Sequence, residues 1–263
     1  MSAKILKFIL ICLSAFYYVF LASSVSALRP FVTDDARIIE VGQLEFETWA
    51  DTAIADSHWT PVLSLNGTAS TSFTDYLQVL LGTGLGIESN GETSISNPVS
   101  IIKVLIKESK PKTFGLATSF STTYNAGFGK QYDNGTAYTI SGISTYRSKN
   151  DFLNLHLNLG AKIDQNENQG TTAKPYWGVG LDFKTPKKNL RYIIEAYAGD
   201  PFQVSAPNYA FQTGFRLIKS DKQSFDLITG IQPEGDSVET WVQIGYRMVF
   251  NTFKSKKEKI KEI

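Results

Sequence analysis

From Gln43 to Phe250 apolar and polar residues alternate in segments separated by stretches rich in Gly, Asn, Asp, Ser and Lys. Alternation sends successive side chains to opposite faces of an extended chain and predicts β-strands. The pattern places strands over residues 43–53, 59–70, 76–87, 99–107, 114–124, 136–147, 152–162, 174–184, 190–200, 209–218, 224–232 and 238–250, an even set of twelve. Their lengths are close to the roughly 9–11 residues that a tilted strand needs to cross a bilayer. In 152–162, Leu153, Leu155, Leu157, Leu159 and Ala161 share one face, and Asn154, His156, Asn158, Gly160 and Lys162 share the other. A wall between lipid and a wet lumen produces this division.

The connections alternate too. Short ones near 71–75, 108–113, 148–151, 185–189 and 219–223 are interleaved with longer polar ones near 88–98, 125–135, 163–173 and 201–208. Short periplasmic turns and long external loops give that rhythm in a closed antiparallel transmembrane β-barrel, with both termini in the periplasm. Two connections expected outside, 54–58 and 233–237, are short and break it. Aromatic residues gather at strand ends: Phe114, Phe152, Tyr192, Phe215 and Phe250 toward the short turns, Trp59, Tyr124, Tyr138, Trp177 and Tyr209 toward the long loops. Rings with an apolar body and polar edge settle at membrane interfaces. A soluble sandwich or lipocalin-like barrel is the competing reading of the same alternation.

The 263 residues include 17 Phe, 12 Tyr and 20 Gly, which suits an all-β domain with a large enclosed interior. Residues 1–27 do not fit it. Lys4 and Lys7 precede an apolar run from Phe8 to Ala22 and the small residues Ser23 to Ala27, the pattern of a secretory signal cleaved after Ala27. The single cysteine, Cys12, lies in that segment, so the mature chain is expected to lack disulfides and thiolate metal sites. Removing Lys4 and Lys7 from the 26 basic residues leaves one fewer than the 25 acidic ones, a balance that gives no sign of nucleic acid. The organisation expected is a signal over 1–27, a periplasmic segment over 28–42, the barrel over 43–250 and a basic periplasmic tail over 251–263.

Arg29, Pro30, Phe31, Val32, Thr33, Asp34, Asp35, Ala36 and Arg37, followed by Gly42, Gln43, Leu44 and Glu45, resemble the opening of a family of proteobacterial outer-membrane proteins, the putative meta-pathway of phenol degradation proteins. The resemblance implies an outer-membrane barrel, and the family's label points to transport of aromatic compounds. In the last strand, Gln243, Gly245, Met248 and Phe250 follow the polar, glycine, hydrophobic, aromatic order that resembles the signal read by the barrel-assembly machinery. That signal usually ends a chain, whereas here thirteen residues follow Phe250.

Charged residues on the predicted lumen faces are Glu45, Glu47, Lys103, Lys107, His156, Lys162, Asp182, Arg191, Glu195, Arg216, Asp226 and Arg247. Folding the hairpins about their turns puts Asp182 near Arg191 and Arg216 beside Asp226, and closure of the barrel brings Arg247 to Glu45 or Glu47. Such groups serve either as structural ion pairs or as a selective constriction. Arg29, Asp34, Asp35 and Arg37 make residues 28–41 a candidate to enter the lumen and pair with these charges. His58 and His156 are the only histidines. A lipid hydrolase would need Ser and His together on the outer wall, so no catalytic residue, metal site or cofactor is expected. Gly82, Gly84 and Gly86, and Gly178 and Gly180, recur every second residue and mark wall faces where something approaches closely. The leading function is passive passage of small solutes, hydrophobic or aromatic ones included. A non-conducting structural barrel is the alternative and an outer-membrane lipid hydrolase a lesser one. Outer-membrane lipid, the assembly machinery and a small-molecule solute are the expected partners.

Overall fold

The computed structural model describes residues 31–54, 62–88, 90–166, 170–187, 189–202, 209–234 and 237–252. The predicted signal, Arg29, His58, Trp59 and the tail beyond Thr252 lie outside the described residues. Thirteen strands form one antiparallel sheet: β1 (Gln43–Ile54), β2 (Val62–Thr74), β3 (Leu77–Glu88), β4 (Thr93–Ile95), β5 (Val99–Lys107), β6 (Phe114–Thr123), β7 (Gly135–Arg147), β8 (Leu153–Asn166), β9 (Gly170–Lys184), β10 (Leu190–Ala198), β11 (Ala210–Ser220), β12 (Gln223–Glu234) and β13 (Ser237–Asn251). Each long strand pairs with its sequence neighbours, β3 pairs with β5, and β1 pairs with β13, so twelve strands close a ring. The closing seam runs from Gln43 opposite Asn251 to Ile54 opposite Thr240. Closure leaves no unpaired sheet edge around the barrel.

The three-residue β4 is the exception to the predicted pattern. It hangs on the end of β3, with Leu85 opposite Ile95, inside a connection that sequence reads as a plain loop. The bulges fall at Ser72/Thr74, Leu105/Lys107 and Ile218/Ser220, each at the short-turn rim. An extra residue there bends the strand and ends its pairing. The bulge in β5 has a local consequence: Lys107 lies opposite Leu116 and is exposed, like Leu116, on the outer wall. The expectation that Lys107 lines the lumen is thereby corrected, because the bulge breaks the two-residue period used to assign its face.

The outer wall is apolar. Leu159 is 73% exposed, and Leu81, Ile140, Leu227 and Ile244 are each exposed on the same surface. Near the short-turn rim, rings pair on the outside: Phe114 with Tyr146 and Tyr192 with Phe215, both at 5.1 Å, and Phe46 with Phe250 at 5.9 Å. Near the long-loop rim, Phe120 stacks on Tyr138 at 6.3 Å and Tyr209 meets Phe211 at 6.1 Å. The interior is the reverse: most of the fully buried large side chains are polar, among them Lys162, Glu195, Thr123 and Thr145.

Candidate functional site

Residues 31–42, which precede β1, run through the interior as a strap. Among the described residues, 31–39 of the strap share no backbone-to-backbone hydrogen bond with a strand and wall side chains hold them instead, whereas at its end Glu40 O accepts from Gln43 N of β1 at 3.1 Å and Gly42 O from Thr252 N at 2.8 Å. The Glu195 carboxylate on β10 accepts from Val32 N at 2.8 Å with one oxygen and from Thr33 N at 3.0 Å with the other. Asn158 on β8 accepts from Asp34 N and donates to Asp34 O, both at 2.8 Å. Thr145 on β7 accepts from Ala36 N at 2.9 Å, and Gln78 on β3 accepts from Ile39 N at 3.2 Å. The strap thus descends from mid-barrel to the short-turn rim, where it turns into β1. Net, each neutral bond contributes about 0.5–1.5 kcal/mol and each bond to a charged group about 1.5–3 kcal/mol.

Side chains complete the seat. Phe31 packs with Ile193 and Ile228, and the Arg216 guanidinium lies over its ring at 5.1 Å. Val32 packs with Tyr197, Ala210 and Trp241, and Ala36 with Ala117 and Ile143. Lys103 Nζ donates to Asp34 at 2.9 Å. A Cβ built on Gly180 would stand 3.4 Å from Thr33 Cβ, and one on Gly178 would stand 2.7 Å from Thr33 Oγ1. The strap is what these glycines admit. Within the strap, Arg37 Nε donates to Asp35 at 2.5 Å. Burial opposes ionisation of Asp35, yet the charges of Arg37 and Lys103 outweigh it and hold the carboxyl well below the usual carboxylate range. The same carboxylate pushes the Arg37 pKa up.

Below and around the strap the wall charges form pairs. Arg216 donates to Asp226, its directly opposite neighbour, at 2.7 and 3.4 Å, and Arg191 pairs with Asp182 across the β9–β10 hairpin. Arg247 pairs with Glu45 across the closing seam, with Glu47 3.4 Å away. Glu45 also accepts from Ser70 at 3.1 Å, and Ser70 accepts from Gln78 at 3.0 Å, so a hydrogen-bonded path links the seam to the strap's Ile39. Burying ions costs several kcal/mol each unless they are paired and hydrogen-bonded, and here they are. A cavity of about 40 Å³ remains between strap and wall, lined by Phe31, Asp34, Glu45, Glu47, Gln78 and Lys103 among others. It has room for water.

At the long-loop end the chain also folds inward. Asp200 O accepts from Lys162 Nζ at 2.9 Å, Pro201 O accepts from Thr123 at 2.7 Å, and Phe202 meets Trp49 edge-on at 5.7 Å. A Cβ on Gly82 would stand 2.6 Å from the Phe202 ring. Lys130 pairs with Glu88 at 2.8 Å, and Gln131 donates to Ser64.

The structure places Glu45, Glu47, Lys103, Lys162, Asp182, Arg191, Glu195, Arg216, Asp226 and Arg247 inside and buried, and Lys107 outside. His156 is half-buried inside and shares a 3.0 Å hydrogen bond with Thr145. Of the last-strand residues, Gln243 and Gly245 face the interior and Phe250 the exterior, with Met248 half-buried beside Phe46. Reading charges alone missed the neutral polar groups that grip the strap, Asn158, Thr145 and Gln78, and Ser70, which ties Gln78 to Glu45. The inward-facing position of Asn158 between His156 and Gly160 was the available signal.

Residues 18–250 match the family described as Uncharacterised conserved protein UCP029691. The chain belongs to this family. It is a different family description from the one that Arg29 to Glu45 resemble, and that resemblance is not confirmed. No curated protein matches the chain. Among solved structures, the crystal structure of the COG4313 outer membrane channel from Pseudomonas putida F1 is similar with a TM-score of 0.55 at 13% identity, covering 82% of this chain and 98% of that one. The NanC porin is similar with a TM-score of 0.53 at 10% identity, covering 77% and 98%. The KdgM porin in complex with disordered oligogalacturonate gives 0.51 at 11% identity, covering 78% and 99%. These likenesses are of fold: a closed antiparallel β-barrel of the kind that outer-membrane channels have.

Proposed function

We propose that the protein is an outer-membrane barrel of a Gram-negative bacterium that passes small solutes passively through a narrow lumen. The observation that carries this is the opposition of the two faces, an apolar exterior rimmed by rings and a buried interior of polar and charged side chains around a closed ring. In this reading residues 1–27 are a secretory signal, both termini are periplasmic, residues 251–263 form a solvated tail, and the assembly machinery reads Gln243, Gly245, Met248 and Phe250. The interior charges pair with one another across strands, so they serve first as structure and only secondarily as a filter. The opening that Arg29 to Glu45 resemble supports the barrel and adds very little on which solute crosses, hydrophobic and aromatic ones included.

The strap and the inward loop give a specific reason to weigh a second reading, a barrel that conducts nothing. Purified protein refolded into a planar bilayer decides between them: stepwise conductance is expected, and none, from protein showing the heat-dependent gel shift of a folded barrel, would overturn the transport reading. Liposome-swelling rates then rank solutes by size and polarity. The protein is read as non-enzymatic, since His156 faces the interior and bonds Thr145. Lipid hydrolysis that disappeared in His156→Ala would overturn that point.

A further inference from the structure

We propose that the inner wall around Glu195, Asn158, Thr145 and Gln78 is a binding site for an extended peptide main chain, and that residues 32–39 are its resident, exchangeable ligand. Four wall side chains satisfy main-chain groups of five strap residues, Val32, Thr33, Asp34, Ala36 and Ile39. Glu195 takes two consecutive N–H groups with its two oxygens, and Asn158 presents an acceptor and a donor to one residue, as a neighbouring strand would. None of these contacts depends on which side chain the ligand carries. Selectivity comes from the surrounding surface. Gly178 and Gly180 admit only a small residue at the position of Thr33, the fully enclosed Ala36 leaves no room beside Ala117 and Ile143, and Lys103 takes a carboxylate at the position of Asp34. The ligand class is therefore a short extended peptide with an acidic residue directly after a small one, a second small residue two positions beyond it, and an aromatic residue preceding the bound stretch. Because residues 31–39 share no ladder with a strand, they can leave without unzipping the barrel. The site lies in the proposed solute path, but exchange at it does not depend on whether solutes cross.

The test uses the full chain with Thr33→Cys as its only cysteine, Cys12 being replaced by Ser. Thr33 is buried, so its replacement reacts with a maleimide only when the strap leaves. A synthetic peptide with the sequence of Phe31 to Ile39 competes with a tethered segment whose effective concentration is on the order of millimolar, so it is added over that range. It should raise the alkylation rate about tenfold, saturably, at concentrations where a scrambled peptide does nothing. The same peptide N-methylated at the residues matching Val32 and Thr33 should lose the effect, because it lacks the two donors that Glu195 accepts. An alkylation rate unmoved by the peptide, or moved equally by the N-methylated or scrambled peptide, overturns the proposal. Alkylation reports displacement and not conduction, so this result stands apart from the bilayer measurement.

Discussion

Arg247 on the last strand pairs with Glu45 on the first, two residues 202 positions apart in sequence and both buried at the line where the ring closes. Glu47, directly opposite Arg247 in the register, completes the group. Arg247→Ala leaves two carboxylates buried with no cation between them. Removing one partner of a buried pair costs about 3–5 kcal/mol. The expected result is a matching loss in urea-unfolding free energy, read from the heat-dependent gel shift. Arg216→Ala should act similarly through Asp226, and a loss near zero in both would mean that water reaches these carboxylates.

The outer wall gives a second prediction. Leu159 is among the most exposed apolar side chains and sits midway along its strand, at the level of the bilayer centre in the transmembrane reading. Leu159→Arg should destabilise the barrel in vesicles by about 2–4 kcal/mol, whereas Leu159→Ala should cost far less. Equal tolerance of both would argue that this surface does not face lipid.

The strap can be locked. With Cβ positions 3.4 Å apart, Thr33→Cys and Gly180→Cys together fall just short of the roughly 3.5–4.5 Å that a disulfide spans. Oxidation should fix the strap to the wall and hold conductance at its lowest level. Reductant should restore the value of the unmodified protein, and Lys103→Met, which releases Asp34, should raise it. Conductance that ignores all three changes would separate the strap from the solute path.

The strap also carries the pH dependence outside the strands. Asp35 has its folded pKa depressed, so its contribution is present above the unfolded value of about 3.9 and is lost as pH falls through the folded one. Asp151, whose hydrogen bonds from Arg147 lower its pKa, follows the same sign. Stability relative to Asp35→Asn should therefore stay constant from neutral pH down to about pH 4 and decline only in stronger acid. Unfolding midpoints of the two proteins at pH 7 and pH 3 check this, and a difference that grew toward acid would reverse the sign.

Much of the ring was legible because a barrel writes its two faces into a two-residue period. Leu153 to Lys162 separate cleanly into outward Leu157 and Leu159 and inward Asn158 and Lys162, and the charged hairpin partners follow from the turns. Lys107 was misplaced because a bulge shifts the period by one residue and nothing in LIKES (Leu105–Ser109 with Ile106 inside it) announces one. The seat of the strap was only half legible. Its charges stood out, but its grip runs through main-chain N–H groups, which every residue except proline carries and no sequence pattern displays. Likewise Gly82 and Gly178 advertised a close approach without saying that Phe202 and Thr33 make it.

A ring sewn shut between its first and last strands sets an order of events. Gln43 cannot meet Asn251 until nearly the whole polypeptide has been delivered, so the cost of bringing distant ends together falls at the final step. Contacts this far apart along the chain make for slow maturation. The strap enters the strand that forms that seam, and its partners Asn158 and Glu195 belong to strands in the middle of the chain. Held by them, residues 32–34 lie inside the ring that the seam closes, so the finished vessel encloses a stretch of its own chain.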